Sequence, residues 1–216
     1  MLEHLPRWLG LALGSVRAGA DRLAIASLRP GECSEISFGS TAFGDGERIP
    51  ERFTADGEGV SPPLHWGPLP EGTAALALLV EDADSPSPNP LVHAVLWDID
   101  LAANRLEEGA IGSTGDGVPG GEGPETGRNS YLQRRWLPLD PPPGHGEHHY
   151  VFQLFALSAV PDLERAPGRS ALLDELDGRL LGVGVLTGTY SRDDPAAIGP
   201  VGEAATACSP PSRSPS

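Results

Sequence analysis

No lysine occurs anywhere in the 216 residues, so all fifteen basic side chains are arginine. That absence excludes Schiff-base chemistry through a lysine amine, and with it the lysine of a nucleotide-binding P-loop. Positive charge is scarce altogether: against thirty Asp and Glu, the formal net charge is −15. A chain this acidic lacks the clustered cations that neutralise phosphates, so nucleic acid is not an expected partner. Only two cysteines occur, Cys33 and Cys208, far apart and without a second pair. Neither a disulfide framework nor a cysteine zinc site is expected, and a reduced, cytoplasmic setting fits. No apolar run is long enough to span a bilayer, and with Glu3 early and no clear small-x-small cleavage site a secretory signal has only weak support.

What the chain does have is glycine (28) and proline (23), close to a quarter of its residues. That favours many short elements joined by tight turns over a bundle of long helices, and the length fits one substantial core. Leu2, Leu5, Leu9, Ala12, Val16 and Leu23 recur at helical spacing, which predicts an amphipathic helix over about residues 2–24. Segment 1–30 carries four arginines against Glu3 and Asp21, a net of +2, while the remainder is strongly acidic. Such a helix lies on a membrane, clasps a partner, or packs on its own domain, and the last reading is preferred.

From Glu32 onward the pattern is short apolar runs and turns. Ile36–Phe38, Ala74–Val80, Leu91–Ile99, Tyr150–Leu157 and Leu181–Tyr190 read as strands, with proline clusters as connectors. A late helix is expected from Ser170 as its N-cap, with Leu172, Leu173, Leu176 and Leu180 on one face. The stretch from Gly112 to Ser130 has almost nothing apolar and reads as a long mobile loop. The expected organisation is a helical extension over 1–30, a mainly β domain with peripheral helices over 31–194, and a disordered tail over 195–216.

Gly115, Gly117 and Gly120 match G-x-G-x-x-G by count, but with Pro119 inside and no flanking strand or helix the pattern reads as a flexible loop. Two other stretches carry chemistry. In EDADSPSPNPLVHAVLWDID a strand ends at Asp82 and Asp84, turns through prolines and returns with His93. A carboxylate beside an imidazole favours the charged ring and orients it, which suits an anionic ligand, although an acidic turn with one satisfied histidine explains the same residues equally well. In DPPPGHGEHHYVFQLFAL three histidines fall within five residues. If the strand begins near Glu147, alternation puts His148 and Tyr150 on one face and His149 on the other. That splits the histidines, which disfavours a metal site, and no cofactor motif accompanies them. His145 reads as a loop residue hydrogen-bonding nearby carbonyls.

These motifs, with IPERFTADGEGVSPPLHW at 49–66 and LLGVGVLTGTYSR at 180–192, resemble the phosphatidylethanolamine-binding protein family in its bacterial Raf-kinase-inhibitor-like branch (YbhB/YbcL). The similarity covers about residues 36–192 in family order. It implies a β-sandwich of two antiparallel sheets with a small anion pocket at one end. By position, the pocket residues are Asp82 and Asp84, His93, His148 and Tyr150, with Pro141 and Pro142 as walls and the backbone amide of Asp140 beside them. The implied ligand is phosphate or a phospholipid head group such as phosphoethanolamine, bound without catalysis, with regulation of a protein partner as a further expectation. An acid/base enzyme, a hydrolase or isomerase using the same Asp–His–Tyr group, is the alternative.

Ala83, Ser85, Leu91 and His149 depart from the family pattern, as does Asp140, where the family has glycine or cysteine. A carboxylate ~6 Å from an anion costs about 2–3 kcal/mol at an effective dielectric near 20, so Asp140 is expected to weaken binding.

Overall fold

The computed structural model describes residues 19–28, 33–112, 124–163 and 166–192. The 1–18 part of the expected N-terminal helix, the glycine pattern at 115–120 and the tail from 195 lie outside them.

Among the described residues, nine strands build two sheets. They are β1 (Ser34–Glu35), β2 (Phe38–Gly39), β3 (Leu64–Trp66), β4 (Ala75–Asp82), β5 (Leu91–Trp97), β6 (Arg105–Leu106), β7 (Glu125–Thr126), β8 (His148–Leu157) and β9 (Leu180–Tyr190). The large sheet runs β1-β9-β8-β4-β5-β7 and the small one β2-β3-β6. All pairs are antiparallel except β1 with β9, so the sandwich departs from the expected all-antiparallel form at one edge. Four of the five expected strands are present with shifted ends. Residues 36–38, expected as one strand, are instead the step after β1 (36–37) and the first residue of β2 (Phe38).

β4 and β8 are central and buried on both faces, which is why they read as continuous apolar runs with little alternation. One face, through Leu76, Leu78, Phe152 and Leu154, meets Leu64, Trp66 and Leu106 of the small sheet. Glycines on β9 permit close packing over this face, against β2 and the segment that follows it. A Cβ on Gly188 would lie 2.4 Å from Ile49 Cγ1, and one on Gly184 would lie 2.6 Å from Phe38 Cβ.

The opposite face packs Ala77, Leu79, Val151 and Phe155 against two short helices, α1 (Ala24–Ser27) and α2 (Arg169–Leu176). Leu172 and Leu176, one turn apart, bury α2. It starts one residue before the expected cap: Gly168 is the N-cap and Ser170 lies inside. The N-terminal segment does pack on its own domain over its described part, with Leu23, Ala24 and Ile25 fully buried. It is not one helix up to residue 24, however. A 3-10 turn (Ala20–Arg22) ends at Leu23, whose extended ψ of 154° breaks it from α1.

A buried polar network explains that anchoring. Glu81, fully buried on β4, accepts hydrogen bonds from the Ala24 N–H (2.7 Å), Gln153 Nε2 (2.7 Å) and Arg169 Nε (2.6 Å). Gln153 Oε1 in turn accepts the Ile25 N–H, and Arg169 Nη2 donates to the Arg22 carbonyl. Residues 125–126, expected in a mobile loop, form β7 instead, because pairing with Leu96 and Trp97 satisfies their backbone at the sheet edge. Among the described residues, no helix is long and apolar enough to cross a membrane.

Candidate functional site

Four of the expected residues converge at one end of the large sheet. Asp82 closes β4 and is the direct cross-strand partner of Tyr150 on β8. His148 lies two residues before Tyr150 on the same face, and their rings stack at 6.3 Å. His93 reaches them through a β-bulge. Val80 pairs with Ala94 and Glu81 with Val92, so His93 has no opposite residue. The extra residue turns its side chain toward Tyr150, and the two rings meet edge-to-face at 5.3 Å.

Each side chain but one is fixed by hydrogen bonds. His148 Nδ1 donates to Asp82 Oδ2 at 2.7 Å, and Asp82 Oδ1 accepts the Asp84 N–H at 2.9 Å. His93 Nδ1 donates to the Leu137 carbonyl at 2.8 Å, while the Leu137 N–H returns to the His93 carbonyl. That exchange assigns the His93 proton to Nδ1 and leaves Nε2 bare in the neutral ring. Burial holds the His93 imidazole below its ordinary value, against the opposing pull of the Leu137 carbonyl and Asp82. Burial, reinforced by the Asp82 charge, pushes the Tyr150 phenol well above its own, so it stays a hydroxyl. Both His93 Nε2 and the Tyr150 hydroxyl are buried without a hydrogen-bond partner among the described residues.

Other expected residues sit elsewhere. Asp84 does not share this cluster: its Oδ2 accepts from His149, at the backbone N–H (2.8 Å) and at Nδ1 (2.7 Å). Asp84 lies past the end of β4, in the turn, where strand alternation no longer sets its side, and its carboxylate raises the His149 imidazole above its ordinary value. Pro141 is buried, as a wall would be, but Pro142 is exposed and its carbonyl caps the His145 N–H. His145 is not merely a loop residue: its Nδ1 lies 2.9 Å from His148 Nε2, forming a chain Asp82–His148–His145.

Asp140 differs from its expected role most. Its carboxylate is ion-paired with Arg192 Nη1 at 2.6 Å, and the same guanidinium donates to the Pro141 carbonyl and to both oxygens of Asp56. Its charge is therefore compensated rather than left to repel an anion. Asp56, with Arg192 and the Tyr190 hydroxyl on it, is held below the usual carboxylate range, chiefly by Arg192.

A family model described as phosphatidylethanolamine-binding protein matches residues 39–191. The chain belongs to that family. Similar relatives include a UPF0098 protein of Methanothermobacter thermautotrophicus, 37% identical over 153 residues, 70% of this chain and 95% of that one. A UPF0098 protein of Aquifex aeolicus is 36% identical, covering 71% of this chain and 87% of its own length. Among solved structures, a phosphatidylethanolamine-binding protein homologue from Chlamydia trachomatis superposes with a TM-score of 0.65 at 27% identity, covering 74% of this chain and 99% of that one. Escherichia coli YbcL, at 24% identity and a TM-score of 0.66 over 73% of this chain and 98% of its own, shares the fold.

Within this phosphatidylethanolamine-binding protein fold, sequence reasoning missed Trp136, Leu137, His145 and Arg192. Trp136 is buried and packs between His93 and Phe152. Trp136 and Leu137 follow the stretch that reads as a loop, and only the fold brings them over β5. Arg192 was visible at the end of the GTYSR segment, but nothing in the sequence indicates that it meets Asp140.

Proposed function

We propose that this protein binds a small oxyanion, phosphate or a phosphate-bearing head group, in the Asp82, His93, His148 and Tyr150 cluster, and holds it without turning it over. The observation that carries this reading is the pair of unpartnered buried groups, His93 Nε2 and the Tyr150 hydroxyl, on rings 5.3 Å apart. An unpaired buried polar atom costs ~1–3 kcal/mol, and an oxyanion between the two removes that cost. The hydroxyl donates directly. His93 donates once it carries a second proton, and a nearby negative charge favours that state.

Non-catalytic binding is supported by the partners of the imidazoles. Their hydrogen bonds go to a carboxylate, a carbonyl and another imidazole rather than to a serine, threonine or cysteine that could act as nucleophile. The Asp82–His148–His145 chain is the feature an acid/base enzyme would use, so phosphoester turnover lost in His148→Ala would favour that reading instead. Isothermal titration of the full chain with inorganic phosphate and phosphoethanolamine tests the binding. Saturable heat that Tyr150→Phe weakens is expected, and no heat at millimolar ligand from folded protein overturns the proposal.

A further inference from the structure

The cluster is closed. His93 and His148 are 1% exposed, Asp82 3% and Tyr150 0%, so no ligand reaches them without something moving. The segment from Asp140 to Glu147 makes two contacts beside them. At one end, Asp140 Oδ1 lies 2.6 Å from Arg192 Nη1. At the other, His145 Nδ1 lies 2.9 Å from His148 Nε2. His145 is carried between Gly144 (φ 76°) and Gly146 (φ 88°), two left-handed positions around which a side chain would find open space. Within the turn, the His145 N–H donates to the Pro142 carbonyl.

Both contacts occupy nitrogens suited to an oxyanion. Arg192 is pinned on one side by Asp56, which takes Nε and Nη2, and its Nη1 faces Asp140 and the Pro141 carbonyl. Tyr190, two residues before Arg192, is the cross-strand partner of His148, so the ion pair lies beside the cluster. When His148 is charged, its Nε2–H is donated to His145 Nδ1. The loop thus presents its own carboxylate and its own imidazole lone pair to two donors beside the unpartnered Tyr150 hydroxyl and His93.

Resting on the binding site proposed above, we infer that Arg192 is a further ligand-binding residue of that site, and that Asp140 and His145 are built-in competitors which an incoming oxyanion displaces from Arg192 and His148. Ligand exchange then replaces two internal acceptors by the oxygens of one tetrahedral anion and releases the turn at 143–147. The site selects for anions able to satisfy several donors at once, phosphate over a monocarboxylate, because a ligand with a single acceptor would not replace both contacts.

Titration of the full chain with inorganic phosphate, at low ionic strength and again in 0.5 M chloride, tests this. Asp140→Asn and His145→Ala should each tighten phosphate binding, Asp140→Asn by about tenfold at low salt, since it removes one competing charge. The Asp140→Asn gain should shrink at high salt because Asp140 is largely exposed. Arg192→Gln should weaken binding at least tenfold, and Asp140→Asn should bring no gain in the Arg192→Gln background. Amide exchange over 143–147 should rise when phosphate is added. If Asp140→Asn, His145→Ala and Arg192→Gln all bind like the unaltered protein while Tyr150→Phe still loses binding, the competitor reading falls and the site stands. If neither the unaltered protein nor any variant binds phosphate, both fall.

Discussion

Replacing Tyr150 by phenylalanine separates binding from folding more cleanly than any other change at the site. The ring is fully buried, stacked on His148 and set edge-on to His93, and phenylalanine keeps those contacts. The hydroxyl has no protein partner, so removing it leaves no hydrogen bond broken and lifts a desolvation penalty of about 1–3 kcal/mol, in part offset by any solvent that reaches it. The ligand-free variant should therefore be at least as stable as the parent and up to about 2 kcal/mol more so. In a domain of this size that raises the Tm by roughly 2–4 °C per kcal/mol. Phosphate binding should fall at the same time, by ~10- to 100-fold, the worth of one charge-assisted hydrogen bond of ~1.5–3 kcal/mol. Thermal and urea unfolding with and without phosphate, beside titration calorimetry, read both quantities. A variant that loses more than about 1 kcal/mol of stability yet binds phosphate normally would refute the reasoning, because the hydroxyl would then be a structural hydrogen bond.

Arg169→Ala should destabilise the fold by about 2–4 kcal/mol in urea unfolding, because it strips the charged partner from the fully buried Glu81 carboxylate. The same variant should expose the N-terminal segment to protease, since Glu81 holds the Ala24 N–H and Arg169 holds the Arg22 carbonyl. Gly188→Ala should cost roughly 1–3 kcal/mol, as its Cβ would press on Ile49 and Phe43 of the segment between β2 and β3. Phosphate affinity should rise as the pH falls from 8 toward 6. Burial keeps free His93 neutral there, the bound anion favours its protonated form, and binding in that window takes up a proton. Calorimetry in two buffers of different ionisation enthalpy would measure the uptake, and its absence would show that His93 is not at the anion.

The strand run of the large sheet was legible because β4, β5, β8 and β9 are dense in apolar and β-branched residues bounded by proline and glycine. The division of the histidines was legible as well. Period-two alternation alone separates His148 from His149, whatever the sheet order. Short β3, β6 and β7 were not, since two or three residues carry no period and become strands only by pairing at an edge. The polar pair Glu81 and Gln153 likewise gives no local sign that it is buried. Its partners Arg169 and the Ala24 and Ile25 amides are 88, 57 and 128 residues away along the chain.

Residue types and spacing by themselves pointed to the family and the β architecture and put His148 and Tyr150 on one face, because strand geometry is local and repeats every two residues; Asp82 and His93 were expected beside them only through the resemblance. Tertiary structure alone decided that His93 turns inward at a bulge, that Asp84 goes to His149, that Arg192 meets Asp140 and that His145 meets His148. Each of those depends on which remote backbone lies alongside. A hydrogen bond or ion pair is set by a distance of about 3 Å in space, a quantity that separation along the chain does not encode.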